Sequence, residues 1–222
     1  MIIIVIPAYN EEKIIAKVIR EIKSAGYRNI IVIDDGSTDR TCQEAKKQKV
    51  FVFRHKKNKG LGGALNTGIK VALSRGADII ITFDADGQHD VRDIGKVIKP
   101  IINKKAEVVI GSRMLNTKGM PFSKRLSNRI GNFVTYVLFN IKVSDSQSGL
   151  RAFTKHSAWV INLRTNKMEV SSEIIGSIKE NDLKLVEVPI KTIYTPYSIK
   201  KGQRWFAGFR ILFKLIIRRL FR

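Results

Sequence analysis

The sequence repeats one unit: a short apolar run that ends in polar residues, followed by a stretch of helical periodicity. Ile2–Ile6 is uninterrupted Ile and Val before Pro7, the pattern of a strand buried on both faces. Glu11–Ser24 then places Ile14, Ile15, Val18, Ile19 and Ile22 on one helical stripe, closed by Gly26. The alternation returns with strands expected at Ile30–Ile33, Val50–Phe53, Asp78–Phe83 and Glu107–Gly111. A short helix to Gln48, one over Gly60–Ser74 and one over Asp90–Asn103 separate them. Units of this length predict an α/β fold: a mostly parallel central sheet with right-handed crossovers and helices on both faces. Apolar residues make up 44% of the 222, enough for a real core and too many for a disordered chain.

In such a sheet, ligands bind beyond the carboxyl ends of the strands. That rule selects Pro7–Glu12, Asp34–Thr38, Asp84–Gln88 and Gly111–Arg113. Asp84-Ala85-Asp86 follows an apolar strand, and two carboxylates at this spacing can grip one hard cation while leaving positions for phosphate oxygens. Gln88 and His89 are near enough to add a ligand or a supporting hydrogen bond. Read alone, the segment is better taken as a polar loop with an Asp capping the next helix. Asp35 can accept from a base N–H or a ribose hydroxyl, and Gly36 permits a positive φ; the alternative is an Asx turn with Thr38 or Asp39 as helix cap. Pro7–Glu12 can offer backbone groups and the Tyr9 ring to a base, or simply end a strand and cap a helix. Lys59-Gly60-Leu61-Gly62-Gly63 looks like an anion cradle but is neither GxxxxGK[ST] nor GxGxxG.

Charge is unevenly placed. The chain has 41 basic and 19 acidic residues, a net charge of +22. Residues 1–117 hold 21 basic and 13 acidic residues, and 118–222 hold 20 and 6. Carboxylates for metal chemistry therefore gather in the first half and cationic surface in the second. The single Cys42 excludes an internal disulfide and a multi-Cys zinc site, and fits a reducing compartment. The opening lacks a basic n-region and a cleavage site, and no uncharged apolar stretch of ~18 residues occurs, so neither a signal peptide nor a conventional transmembrane helix is expected. Met120–Arg129 supplies Lys124, Arg125 and Arg129 for a phosphate, with Arg113 and Arg151 as further candidates; its alternative is a solvated or lipid-facing helix side. Phe122–Ile141 has helical apolar spacing and reads as core or as a membrane-surface helix. In Trp205–Arg222, Arg210, Lys214, Arg218 and Arg222 recur every four residues among Phe, Leu and Ile. That is a basic amphipathic helix suited to an anionic leaflet, or a helix packed on the domain or a second subunit.

Taken in order, PAYNEE, DDGSTD, NKGLGGALNTG and DADGQ resemble the inverting family-2 glycosyltransferases, which have a GT-A-like fold. The later Gly111-Ser112-Arg113, Asp145-Ser146-Gln147-Ser148-Gly149-Leu150-Arg151-Ala152-Phe153 and Val186-Glu187-Val188-Pro189 look like the branch with dolichyl-phosphate mannose synthase and related polyprenyl-phosphate sugar transferases. The resemblance implies that Pro7, Ala8, Tyr9, Glu11, Ile33, Asp35, Gly36, Lys59 and Gly60 hold a nucleotide-sugar. It implies a divalent cation, Mg2+ or Mn2+, at Asp84, Asp86 and Gln88, with Ala85 beside the diphosphate and Arg113 on phosphate. Asp86, Arg113, Arg125 and Arg129 become the catalytic candidates, and Lys124, Arg125, Asn128, Arg129, Gln147, Lys201 and Arg204 the acceptor-phosphate candidates. Lys200-Lys201-Gly202-Gln203-Arg204 stands where the branch often has an Arg…Gly…Ser-Lys motif, so mannose is not singled out as donor sugar.

The expected organisation is a catalytic domain over 1–199, with a nucleotide-sugar half to about 117 and an acceptor half from about 118, and a membrane-associating tail over 200–222. The expected reaction moves a hexose or N-acetylhexosamine from GDP-mannose, UDP-glucose or UDP-GlcNAc to a membrane polyprenyl phosphate, at the cytoplasmic face and without nucleic acid. A phosphomonoester is already anionic near neutral pH, so that acceptor needs cations more than a tuned base. Transfer to a saccharide or protein hydroxyl would need one, with Glu173 or Asp145 as candidates. A basic nucleic-acid-binding domain is the remote alternative, without an RNP-like aromatic strand to support it.

Overall fold

The computed structural model describes residues 1–166 and 168–193. The predicted tail, with Lys201 and Arg204, lies outside the described residues.

The chain runs β1 (Ile2–Ala8), α1 (Ile15–Ser24), β2 (Ile30–Asp34), α2 (Thr41–Lys47), β3 (Phe51–Arg54), α3 (Leu61–Ser74), β4 (Ile79–Thr82), α4 (Ile94–Ile102) and β5 (Val108–Ser112). Then come α5 (Phe122–Phe139), β6 (Arg151–Thr154), α6 (Lys155–Val160), α7 (Val170–Glu180) and β7 (Leu185–Pro189). Among the described residues the sheet has seven strands in the order β3-β2-β1-β4-β6-β5-β7. Every pairing is parallel except those of β6, which runs antiparallel between β4 and β5.

The expected alternation holds, with two differences. First, β1 continues through Pro7 to Ala8. Its ladder with β2 continues through Pro7–Ile33, but its ladder with β4 ends at Val5–Thr82, and the missing N–H of Pro7 falls on the β4 side beyond that end. Second, β6 begins inside the DSQSGLRAF segment, a strand too short and too polar at its start to show as an apolar run. Because β6 is reversed, its first residue, Arg151, lies at the sheet edge where the parallel strands end. Asp145–Leu150 is thereby carried to that edge beside the ends of β4 and β5.

The two sheet faces have separate cores, as an interior parallel sheet requires. On one, Val5, Ile33 and Phe153 pack with Leu65 and Ile69 of α3 and Ile174 of α7. On the other, Ile4 and Ile6 pack with Ile15, Ile19 and Ile22 of α1 and Ile94 and Ile98 of α4. Gly68 sets the approach of α3 to the sheet: a Cβ there would lie 2.2 Å from Val5 Cγ1. Gly68→Val should therefore overpack this face and destabilise the fold by about 1–3 kcal/mol, seen as a lowered midpoint in thermal unfolding.

Candidate active site

The four selected strand ends share one edge of the sheet. At its centre, Asp84 and Asp86 follow β4. Gln88 donates through its backbone N–H to Asp86 Oδ1 (2.9 Å) and through its side-chain amide to Asp86 Oδ2 (2.7 Å). In this arrangement Gln88 orients Asp86. His89 is buried, with Nε2 3.3 Å from Asp84 Oδ2. Gly149 lies flat against the same carboxylate: a Cβ there would stand 1.8 Å from Asp84 Oδ2. Its carbonyl accepts from Thr82 Oγ1 at 2.8 Å, which ties that backbone to the end of β4.

The two aspartates titrate apart. Burial, then the charge of Asp84, pushes the Asp86 carboxyl up to about 6. Burial also opposes ionisation of Asp84, but the hydrogen bond to His89 and the charges of Arg113 and Arg151 outweigh it and hold that carboxyl below the usual range. Asp86 is thus a carboxylate whose charge waits for a compensating cation. Among the described residues no three His, Cys, Asp or Glu side chains converge as a metal cage. Two carboxylates with open positions beside them fit a hard divalent cation, which Asp84 and Asp86 would hold.

Cations ring this pair. Arg113, just after β5, donates from Nε to Asp145 Oδ2 (2.7 Å), from Nη2 to Asp145 Oδ1 (2.8 Å) and from its backbone N–H to Oδ2 (2.9 Å). Burial disfavours the Asp145 charge, yet the Arg113 guanidinium holds this carboxyl below its usual range. Arg151 is 1% exposed and donates from Nη2 to the Ser146 carbonyl (2.8 Å). Burial pulls its pKa down to about 10, with Asp84 and Asp145 pulling upward, so it is still protonated at neutral pH. Named in the sequence as a further phosphate candidate, it stands here as a buried counter-charge to Asp84 and Asp145.

Lys124 of α5 is half-buried. Burial and the charge of Arg113 lower its pKa, while the Asp86 charge opposes them, so Lys124 lies within electrostatic reach of both. Arg125 and Asn128 are also half-buried on α5, and Arg129 is exposed. Arg129 shares an outward stripe with Phe122, Phe133 and Tyr136, exposed at 75%, 67% and 46%. Gln147 packs over α5, with Cγ 3.3 Å from where a Gly131 Cβ would stand.

At the β1 and β2 ends, Tyr9 is exposed and Glu11 is buried within electrostatic reach of Asp86. The side chains of Pro7, Ala8 and Ile33 are buried, and the Ala8 carbonyl accepts from the Asp35 N–H at 2.8 Å. Asp35 is heavily engaged. Its Oδ1 lies 2.6 Å from His55 Nδ1 and accepts from the Lys59 N–H (2.9 Å), and its Oδ2 accepts from the Gly60 N–H (2.7 Å). Lys59 and Gly60 thus serve Asp35 through their backbones. Gly36, at φ 70°, packs against the Lys57–Asn58 backbone. The apparent anion cradle is closed by the chain itself, since the N–H groups of Gly62 and Gly63 donate to the Asn166 carbonyl at 2.9 and 3.3 Å.

His55, Gly149, Asn132 and Glu187 have supporting parts here that the sequence did not single out. Glu173, a candidate base, instead accepts from the N–H groups of Arg164 (2.9 Å) and Thr165 (2.8 Å) and from the Thr165 hydroxyl.

Comparison with known proteins agrees with this architecture. The fold is that of the GT-A glycosyltransferases: a Mycobacterium tuberculosis glucosyl-3-phosphoglycerate synthase, solved with Mn2+ and UDP-glucose, superposes with a TM-score of 0.70 at 18% identity, over 97% of this chain and 76% of that one. Residues 3–161 match the family described as Glycosyl transferase family 2, and the chain belongs to that family. A UDP-N-acetylglucosamine–dolichyl-phosphate N-acetylglucosaminyltransferase of Methanococcus voltae is 45% identical over 98% of this chain and 95% of its own length. A dolichol-phosphate mannosyltransferase of Pyrococcus furiosus is 32% identical over 84% of this chain and 54% of its own.

Two outcomes follow from the geometry. Gly149→Ala displaces the Asp84 carboxylate, so Mn2+ affinity measured by calorimetry should fall at least tenfold while the circular dichroism spectrum is kept. Asp86→Asn removes a charge that the metal-free fold disfavours. The folded carboxyl titrates at about 6 against about 3.9 unfolded, so ionisation penalises the native state increasingly as pH rises through this window. In chelator, the variant should unfold a few degrees higher than wild type at pH 8, and the gain should vanish as pH falls to about 4.

Proposed function

We propose that the protein transfers N-acetylglucosamine from UDP-N-acetylglucosamine to a membrane polyprenyl phosphate of the dolichyl type, with inversion and with a divalent cation. The observation that carries this reading is the state of the charged groups. The two carboxylates suggested as base for a hydroxyl acceptor, Asp145 and Glu173, are both taken up in hydrogen bonds, while Arg113 lies within electrostatic reach of Asp84 and Lys124 within reach of Asp86. An edge rich in cations with no spare base among those two candidates suits an acceptor that arrives already ionised. The choice of sugar and acceptor is supported by the printed activity of the Methanococcus voltae relative, and the cation by the Mn2+ complex of the structural neighbour.

Asp84 and Asp86 would hold Mg2+ or Mn2+, which supplies positive charge to the diphosphate as it leaves. Arg113, fixed by Asp145, would add a second cation to the same phosphates. Lys124 and Arg125 bind the acceptor phosphate from α5, and one of its oxygens attacks the anomeric carbon opposite the breaking bond to UDP. No proton is transferred: the C–O bond to UDP breaks with its electron pair, and a new C–O bond to the lipid phosphate forms. Tyr9, Glu11 and Asp35 hold the nucleoside at the β1 and β2 ends. The outward stripe of α5, with Phe122, Phe133 and Tyr136 around Arg129, supports peripheral attachment to an anionic leaflet. Among the described residues no helix is long and apolar enough to cross a membrane.

The test offers radiolabelled UDP-N-acetylglucosamine, UDP-glucose and GDP-mannose, each with Mn2+, to polyprenyl phosphate and to free saccharides. Label from UDP-N-acetylglucosamine should enter the organic-soluble product, stop with chelator, and fall about a hundredfold or more with Asp86→Asn. Transfer to free saccharide with none to lipid phosphate would reverse the acceptor assignment. Preference for another donor would reverse the sugar.

A further inference from the structure

Glu187 lies on β7, an edge strand, away from the carboxylate pair. Its carboxylate nevertheless points across the end of β5 into the Ser144–Asp145 turn. Oε1 and Oε2 each accept from the Ser144 N–H at 2.9 Å, and Oε1 also accepts from the Ser144 hydroxyl (2.8 Å) and the Asp145 N–H (3.2 Å). From α5, Asn132 donates to the Ser144 carbonyl and accepts from the Ser146 N–H (2.8 Å) and hydroxyl (3.0 Å). From β5, Ser112 Oγ lies 2.6 Å from Ser144 Oγ. Three elements distant in sequence thus converge on one turn, whose middle residue makes the bidentate pair with Arg113.

We infer that Glu187 is a positioning residue: it fixes the Ser144–Ser146 turn so that Asp145 presents the Arg113 guanidinium toward Asp84 and Lys124. The physical case rests on what the turn would lack without it. The N–H groups of Ser144 and Asp145 face Glu187, and a hydrogen bond to a charged acceptor is about twice as strong as a neutral one. Without that acceptor the turn has no reason to keep both N–H groups on the β7 side, and Asp145 moves with it. Asp145 has no side-chain exposure, and it grips Arg113 along one edge of the guanidinium, through Nε and Nη2. A small rotation of Asp145 therefore re-aims the whole planar group. Arg113 acts on both Asp84 and Lys124, so its orientation reaches the donor and acceptor sides together. The Val-Glu-Val-Pro segment supports this reading by placing Val186 and Val188 against the core, with Glu187 alternating to the other side.

This inference rests on the proposed function, in which Arg113 contacts phosphate, and its test separates the two. Transfer is measured for wild type, Glu187→Ala, Arg113→Ala and the double variant in the full-length protein. The expected result is that Glu187→Ala lowers kcat tenfold or more in wild type and costs less than twofold further when Arg113 is already Ala, because residues acting as one unit are not additive. Multiplying losses would overturn the inference and leave the proposed function standing. If wild type transfers no sugar, the proposed function fails instead, and the positioning claim is read from amide hydrogen exchange. There Glu187→Gln, which keeps volume and one acceptor oxygen, should speed exchange at the Arg113 and Ser144 amides at least tenfold and leave β1 amides unchanged. Unchanged exchange at Arg113 would overturn it.

Discussion

Two like charges set side by side at the end of a buried strand are the constraint around which this site is organised. Asp84 and Asp86 cannot both be comfortably ionised without a cation, and burial sharpens the conflict. The chain resolves it unequally. Asp84 is given His89, Arg113 and Arg151, while Asp86 is left with hydrogen bonds from Gln88 and a carboxyl pushed up to about 6. Such a pair is poised to take up external positive charge, and the rest of the edge makes sense as apparatus for anions that arrive with it.

The reversed strand β6 makes that apparatus possible. An all-parallel sheet would bring only strand ends and following loops to this edge. Because β6 runs the other way, the turn preceding it arrives there too, delivering Asp145, Gly149 and Arg151 between the ends of β4 and β5. Arg151 then sits as a fully buried cation within electrostatic reach of Asp84 and of the buried Asp145. A buried charge of this kind is tolerable only when paired, and removing one partner costs far more than the pair contributes. Gly149 has a complementary part: with no side chain, it lets its backbone touch the Asp84 carboxylate where any larger residue would collide.

Much of this was legible in the sequence. Runs such as Ile2–Ile6 and Ile30–Ile33 announced a buried parallel sheet, and the rule that ligands gather at carboxyl ends selected the segments that do meet at one edge. The DADGQ carboxylates stood out only together with the other strand-end motifs, since alone the segment reads as a polar, helix-capping loop. What escaped the reading was long-range hydrogen bonding, which leaves no periodic trace. Nothing local in Asp35-Gly36 says that its carboxylate will be held by His55, Lys59 and Gly60. Nothing near Glu173 says that it will secure the backbone of Arg164 and Thr165. The four residues of β6 were missed for a different reason, since the strand opens on Arg151, whose charge conceals a buried position. The glycines of Lys59–Gly63 misled in the opposite direction: a loop rich in N–H donors at a helix start was occupied by the chain's own Asn166 carbonyl.

The most direct measurement of the central claim is Mn2+ binding followed by electron paramagnetic resonance, with and without UDP. If the β4-end carboxylates grip an ion that is shared with the diphosphate, metal and UDP will each tighten the other by the same factor, and that mutual gain will disappear in Asp84→Asn and in Asp86→Asn. Undiminished mutual gain in both variants would show that the ion binds elsewhere and would contradict the account.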